Sequence, residues 1–162
     1  MRAGYRWLII VLMVIAPIVN VLIGLSAKGW AGDLWPIIGN AFVFWGVGVR
    51  LFTAGLSQIM RPQFTSASLL EVKNAGADQV VQELGFANVA IGTVGLVATL
   101  WLSGWTAAAA LAGCIFLGFA GFRHVAKRGK NTNEMVETYT DIFVAVVLAI
   151  YLIVTLAGAL QH

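Results

Sequence analysis

Charge is what this chain has least of. Only 10% of its 162 residues are Asp, Glu, Lys or Arg, while 60% are hydrophobic, and mean hydropathy is +0.89. Soluble domains carry about 25% charged residues, so a water-soluble globule is excluded. The net charge of +3 is spread over the flanks of apolar runs instead of being gathered in a patch, which argues against a nucleic-acid partner. Cysteine occurs once, at Cys114 inside an apolar run. That rules out an intrachain disulfide and a cysteine-only metal site. There are two histidines, and neither falls in an HExxH or ExxH spacing.

What the chain does have is five long apolar runs: Trp7–Leu25, Trp35–Met60, Leu84–Leu102, Thr106–Phe122 and Ile142–Leu160. A helix needs about 20 such residues to cross the hydrocarbon core of a bilayer. The expected fold is therefore all-α, a single polytopic domain over residues 1–162 built as a bundle of five transmembrane helices. The first run is long for the core of a signal peptide and is read as a span. Arg2, Arg6, Arg61, Lys73, Arg123, Lys127, Arg128 and Lys130 fall at one end of the bundle, and only Lys28 at the other. By the positive-inside rule the N-terminus is cytoplasmic and the C-terminus external. Tyr5, Trp7 and Tyr139 then sit at the inner interface, and Trp30, Trp35, Trp101 and Trp105 at the outer one.

Pro17 should bend the first span, and the short Ser103-Gly104-Trp105 turn makes the third and fourth spans antiparallel neighbours. Ser68-Leu69-Leu70-Glu71 has capping-box spacing and Gly76 fits a helix stop, which places a short interfacial helix between them. Asn133 fits an N-cap, with Glu134 and Glu137 near the helix N-terminus behind it. Small residues line up at helical spacing on three spans: Gly85, Asn88, Gly92, Gly95 and Thr99; Ala110, Cys114, Gly118 and Gly121; and the pairs Gly39/Gly46 and Gly48/Gly55. Such stripes predict close helix contacts, within the chain or between subunits.

The residue that stands out is Arg50, in the middle of the second run. A cation there costs about 2.5–3.5 kcal/mol on insertion scales, so it needs a partner or a task. Arg50, Thr53, Ser57 and Arg61 share one helix face. Glu83 opens the third span, with Asn88 about a turn deeper; His124 closes the fourth, and Glu134, Glu137 and Asp141 align before the fifth. A structural explanation neutralises Arg50 with Glu83 or Asp141. A functional one gathers Arg50, Ser57, Glu83, Asn88 and Asp141 into a cytoplasm-facing pocket for an anion or lipid headgroup, since arginine suits carboxylate and phosphate. A third groups His124 with Glu134 and Glu137 as metal ligands. Ser57, His124 and Asp141 lie on different spans without a nucleophile elbow, so no catalytic residue is assigned.

Gln82-Glu83-Leu84-Gly85-Phe86-Ala87-Asn88 resembles the E-x-G-F-A-N signature of a family of small bacterial multi-pass membrane proteins of unknown function. The resemblance continues through Gly92, Gly95 and the Ile115–His124 segment to Asn133 and Tyr139-Thr140-Asp141-Ile142, covering roughly Arg61 to Ile150. It implies a shared architecture with Glu83, Asn88, His124 and Asp141 as recurrent polar positions, and no activity. Where that family tends to carry histidine near the end of the second span this chain has Gln58, which weakens any borrowed metal or proton-relay role. The expected function is thus binding or transport of a small anionic ligand or lipid headgroup. The alternatives are an accessory subunit of a larger membrane complex and a lipid- or quinone-directed enzyme. The expected partners are membrane lipids and either further copies of the chain, as a homo-oligomer, or a larger membrane complex; no cofactor is assigned.

Overall fold

In the computed structural model, which describes residues 2–68, 74–127, 129 and 132–160, the chain is helical almost throughout. Five helices are long and apolar enough to cross a membrane, which fits a multi-pass membrane protein. The helices in chain order are α1 (Gly4–Ala27), α2 (Leu34–Met60), the short α3 (Pro62–Ser68), α4 (Ala75–Leu100), α5 (Ser103–Ala126) and α6 (Thr132–Ala159). Only Trp101 and Leu102 separate α4 from α5, whose first turn, Ser103–Trp105, is a 3-10 helix, so the two helices are antiparallel neighbours as the short connection requires.

Two boundaries differ from the apolar runs. α4 starts at Ala75 instead of Leu84, because Asn74 caps it: its Oδ1 accepts from the Ala77 amide at 2.7 Å. Asp78 in the first turn also suits the positive end of the helix dipole. Gly76 is therefore inside a first turn and is not a helix stop. The short helix lies earlier than expected, opened by Pro62 at a position where a missing amide costs nothing. Leu69, Leu70 and Glu71 of the expected capping box that opens at Ser68 lie outside the described residues, as do Lys73, Arg128, Lys130 and His162. α6 begins at Thr132 instead of Ile142, so Asn133 is a buried first-turn residue and not a cap. That extension carries Glu134, Glu137 and Asp141, all buried, which is why it packs although it is polar.

Two stretches are π-helical. The Ala16 amide reaches back five residues to the Val11 carbonyl, just before Pro17, whose ring supplies no amide of its own. In α2 the stretch Val43–Val49 is π-helical and ends at Arg50. It divides the glycines of α2 between two partners. A side chain at Gly46 would meet Val144 of α6 at 2.9 Å, and one at Gly39 would meet the Tyr151 ring. One at Gly48 would meet Leu96 of α4 at 3.0 Å, and one at Gly55 would lie 2.6 Å from the Gly85 carbonyl and 2.7 Å from the Val89 amide. The α4 stripe of Gly85, Gly92 and Gly95 is thus consumed against α2, backbone to backbone.

The α5 stripe is consumed against α6. Cys114 Sγ donates to the Ala145 carbonyl at 3.3 Å, and a Cβ at Gly121 would lie 2.7 Å from Ile142. The two tight pairs, α2/α4 and α5/α6, meet over a fully buried centre of Val43, Val47, Ala110, Val144 and Leu148, joined by Met13 of α1. The outside is a girdle of large apolar side chains, among them Trp7, Ile23, Phe86, Phe119, Phe122 and Ile153.

Candidate functional site

Toward the end of the bundle that holds the N-terminus, the two helix pairs separate below the contact of Val47 with Gly113. The gap is a cavity of about 870 Å³. Its walls are mostly apolar, contributed by Leu8 and Leu12 of α1, Ala54 of α2, Leu84 and Ile91 of α4, and Ile115, Phe116 and Phe119 of α5. Phe64 and Thr65 of α3 also line it, so the short helix folds across the end of the bundle beneath the cavity. Tyr5 stacks edge-on to Phe64 with centroids 5.5 Å apart, which ties α1 to that floor. Thr53, Ser57, Leu84, Ile115 and Phe119 of the long helices border the cavity and are exposed on its flank, and Arg61 is exposed at its α3 end.

Polar side chains interrupt the apolar wall on two sides. Arg50 Nη2 stands 3.5 Å from Glu137 Oε1, with the two side chains 11% and 8% exposed. The Tyr5 hydroxyl donates to the same carboxylate oxygen. Asp141, one turn further along α6 and buried, lines the same cavity within electrostatic reach of Arg50. Across from them Asn88 Nδ2 donates to Gln58 Oε1 at 2.7 Å, a hydrogen bond that joins α4 to α2. Thr53 spends its hydroxyl on the Val49 carbonyl of its own helix at 2.7 Å. Among the described residues, two side-chain atoms of cavity-lining residues, Arg50 Nε and Asn88 Oδ1, have no hydrogen-bond partner, and both are fully enclosed by protein.

Four of the five residues expected to form a ligand site, Arg50, Ser57, Asn88 and Asp141, do border one cavity. Glu83 does not. It is exposed on α4 and accepts from Gln79 Nε2 at 3.3 Å. Leu84, Asn88 and Ile91 are the α4 residues that face the cavity, and Glu83 is rotated about 100° from Leu84 on a 3.6-residue helix. The ion-pair partner of Arg50 is Glu137, in place of the expected Glu83 or Asp141. Nor are the suggested metal ligands assembled: among the described residues no three His, Cys, Asp or Glu side chains group together. His124 is on the cavity wall, Glu134 is held by Lys127 Nζ at 2.5 Å, and Glu137 is shared between Arg50 and Tyr5. Tyr5, Gln58 and Phe64 are additions that the sequence did not single out for the site. Tyr5 reads there as an interfacial aromatic, and only the fold brings it to Glu137. Comparison with known proteins sets nothing beside this geometry: no family model, no curated protein and no solved structure matches the chain.

Proposed function

We propose that this chain is a multi-pass protein of a bacterial cytoplasmic membrane, N-terminus inside, that binds an amphiphilic ligand entering sideways from the bilayer. The observation that carries the proposal is the cavity bordered by exposed residues of the long helices, with mostly apolar walls and polar side chains gathered around Arg50–Glu137 and Asn88–Gln58. Such a lining matches a molecule with a hydrocarbon body and one polar head, and an opening between spanning helices faces lipid. Arg6, Arg61, Arg123 and Lys127 at the floor end, against Lys28 at the other, support the orientation. A freely soluble small anion suits the site less well. The Arg50 guanidinium already has Glu137 as counter-charge, and the cavity is floored by α3 on the side such a solute would come from.

The accessory-subunit reading calls for small-residue stripes left open to a partner. Those on α4 and α5 are instead covered by α2 and α6. The enzyme reading places His124 with the acids at the cytoplasmic end; His124 lines the cavity together with Glu137 and Asp141, and among the described residues no three such side chains group as metal ligands.

The test is native mass spectrometry of the protein released from its own membranes, compared with the Ala54→Trp/Ala120→Trp variant. Both alanines line the cavity, and two indoles would fill much of it. The wild type should leave the detergent with a bound lipid-derived molecule and the variant without one, while both keep the same helical content. Equal adducts on the two proteins would remove the cavity from any binding role.

A further inference from the structure

Six ionisable side chains line the cavity: Tyr5, Arg50, Arg61, His124, Glu137 and Asp141. Five of them are accounted for by a partner or by water. Arg50, Glu137 and Tyr5 hold one another. Arg61 is exposed at the α3 end, and His124 is half-buried in the last turn of α5, so water and salt reach and screen both. Arg61 also lies about 16 Å along the α2 axis from Arg50, at 1.5 Å per residue. Asp141 is the exception. It is 7% exposed, and among the described residues it is in no ion pair and accepts no hydrogen bond. Gly121 of α5 backs it, where an added Cβ would lie 3.6 Å from the Asp141 Cβ. Neither carboxyl oxygen is sealed in protein as Arg50 Nε and Asn88 Oδ1 are, so both open to the cavity that the residue lines.

What this carboxyl can bind follows from its surroundings. An unmatched charge inside a spanning segment is expensive, so such a group calls for a partner. The formal charges of the whole lining cancel, Arg50 and Arg61 against Glu137 and Asp141, with His124 titratable beside them. The sum therefore does not choose a ligand, but position does. The groups that share the cavity with Asp141 are Tyr5 of α1, Arg50 and Arg61 of α2, His124 of α5 and Glu137 one turn back on α6, while α4 contributes no charge. Of the charged ones, Arg50 and Glu137 are those within electrostatic reach of Asp141, and Arg50 is already paired with Glu137. Two carboxyl groups against one guanidinium leave the inner wall short of one positive charge. The surplus cation, Arg61, is at the edge, where a head that reached Asp141 would have left it behind.

We propose, resting on the lateral-binding reading above, that Asp141 is the counter-charge for the head of a cationic amphiphile, which it takes in exchange for a proton. The carboxylic acid gives its proton to water as the ammonium head arrives. Carboxylate and cation then neutralise each other, and the charge of the wall is the same before and after. The hydrocarbon body of the ligand occupies the apolar wall of Ile91, Ile115 and Phe116. Protonated long-chain amines and quaternary ammonium compounds share this chemistry. A phosphate head on the same tail is what Arg61 and His124 would favour instead, and it is the control.

The experiment uses purified full-length protein in nanodiscs and an alkyl trimethylammonium probe with a diazirine on its chain, whose fixed charge assigns any pH dependence to the protein. Photolabelling is competed, at equal mole fraction in the bilayer, with the unlabelled trimethylammonium, primary amine, alcohol and phosphate of the same chain length. A cation should compete better than the alcohol and the phosphate by about tenfold or more. The stronger of the two cations shows whether the head donates hydrogen bonds or only matches charge. Labelling should rise with pH, because deprotonation frees the carboxylate. Asp141→Asn should abolish both the cation preference and the pH dependence, and His124→Gln should keep both. Neither variant should alter labelling by a diazirine-bearing hydrocarbon that has no head, which shows that each is folded with its cavity intact. Preference for the phosphate or the alcohol, or cation labelling indifferent to pH or to Asp141→Asn, overturns the proposal while the lateral cavity stands. Absence of labelling by every probe, the hydrocarbon included, overturns the lateral-binding reading itself.

Discussion

Breaking the Arg50–Glu137 pair should have very different consequences depending on which member is removed. The two side chains are almost wholly enclosed, at 11% and 8% exposure, and approach to 3.5 Å. Removing one member of a buried pair costs about 3–5 kcal/mol, chiefly because the other charge is stranded. Glu137→Gln strands little: the Tyr5 hydroxyl keeps an oxygen to donate to, and Arg50 keeps Asp141 within reach. Arg50→Met leaves two carboxyl groups, Glu137 and Asp141, in an apolar wall with no cation. The expected losses are about 1–3 kcal/mol for Glu137→Gln and about 3–5 kcal/mol for Arg50→Met. Because contacting residues couple, the double variant should be less destabilised than the sum, by roughly 1–3 kcal/mol. Equilibrium unfolding in mixed micelles of a mild detergent and dodecyl sulfate, followed by helical circular dichroism, yields all four stabilities. Strict additivity, or an Arg50→Met protein within about 0.5 kcal/mol of wild type, would refute the stranded-charge reasoning.

Two further outcomes follow from the packing. A Cβ at Gly92 would sit against the Phe52 backbone, 2.8 Å from its Cα and 2.9 Å from the Gly48 carbonyl. Gly92→Ala should therefore cost about 1–3 kcal/mol in the same unfolding assay, whereas Gly158→Ala, with nothing within 4 Å, should leave stability level or slightly raised. Asn74→Ala removes the cap of α4 and should cost about 1 kcal/mol, read as a lower unfolding midpoint and faster amide exchange confined to residues 75–78.

Much of the architecture was written in the hydropathy of the chain. Five runs of sufficient length sufficed for five helices, and the glycine spacing on α4 marked a face that does pack backbone to backbone. Helix ends were less legible, because hydropathy reports apolar length and not hydrogen bonding. α4 begins where Asn74 caps it, and α6 begins in a polar segment whose acids turn inward. The π-helical stretches at Val11–Ile15 and Val43–Val49 left no mark in the spacing of side chains, since a wide turn alters phase without altering composition. Helical phase did locate Arg50, Thr53, Ser57 and Arg61 on one cavity wall, all within the regular helix Arg50–Met60 or at its end. Partner choice between helices was the weakest inference. Glu83, Glu137 and Asp141 are equivalent as sequence, and only the assembled bundle puts Glu137 beside Arg50 and turns Glu83 outward. Tyr5 was illegible for the same reason: its partner is 132 residues away.

The most direct test of a cavity that opens to lipid and is floored toward the aqueous side is the accessibility of a nitroxide placed inside it. The label would be attached at Ala54→Cys, in a protein whose one native thiol is removed by Cys114→Ala, and the protein reconstituted in a bilayer. Collisions with molecular oxygen, which concentrates in hydrocarbon, would be compared with collisions with a water-soluble nickel chelate. A lateral, lipid-facing cavity predicts frequent oxygen collisions and few chelate collisions at Ala54, matching a label at the outward-facing Val94. Frequent chelate collisions would mean a water-filled pocket, and silence from both quenchers would mean a closed bundle; either result would contradict binding from the bilayer.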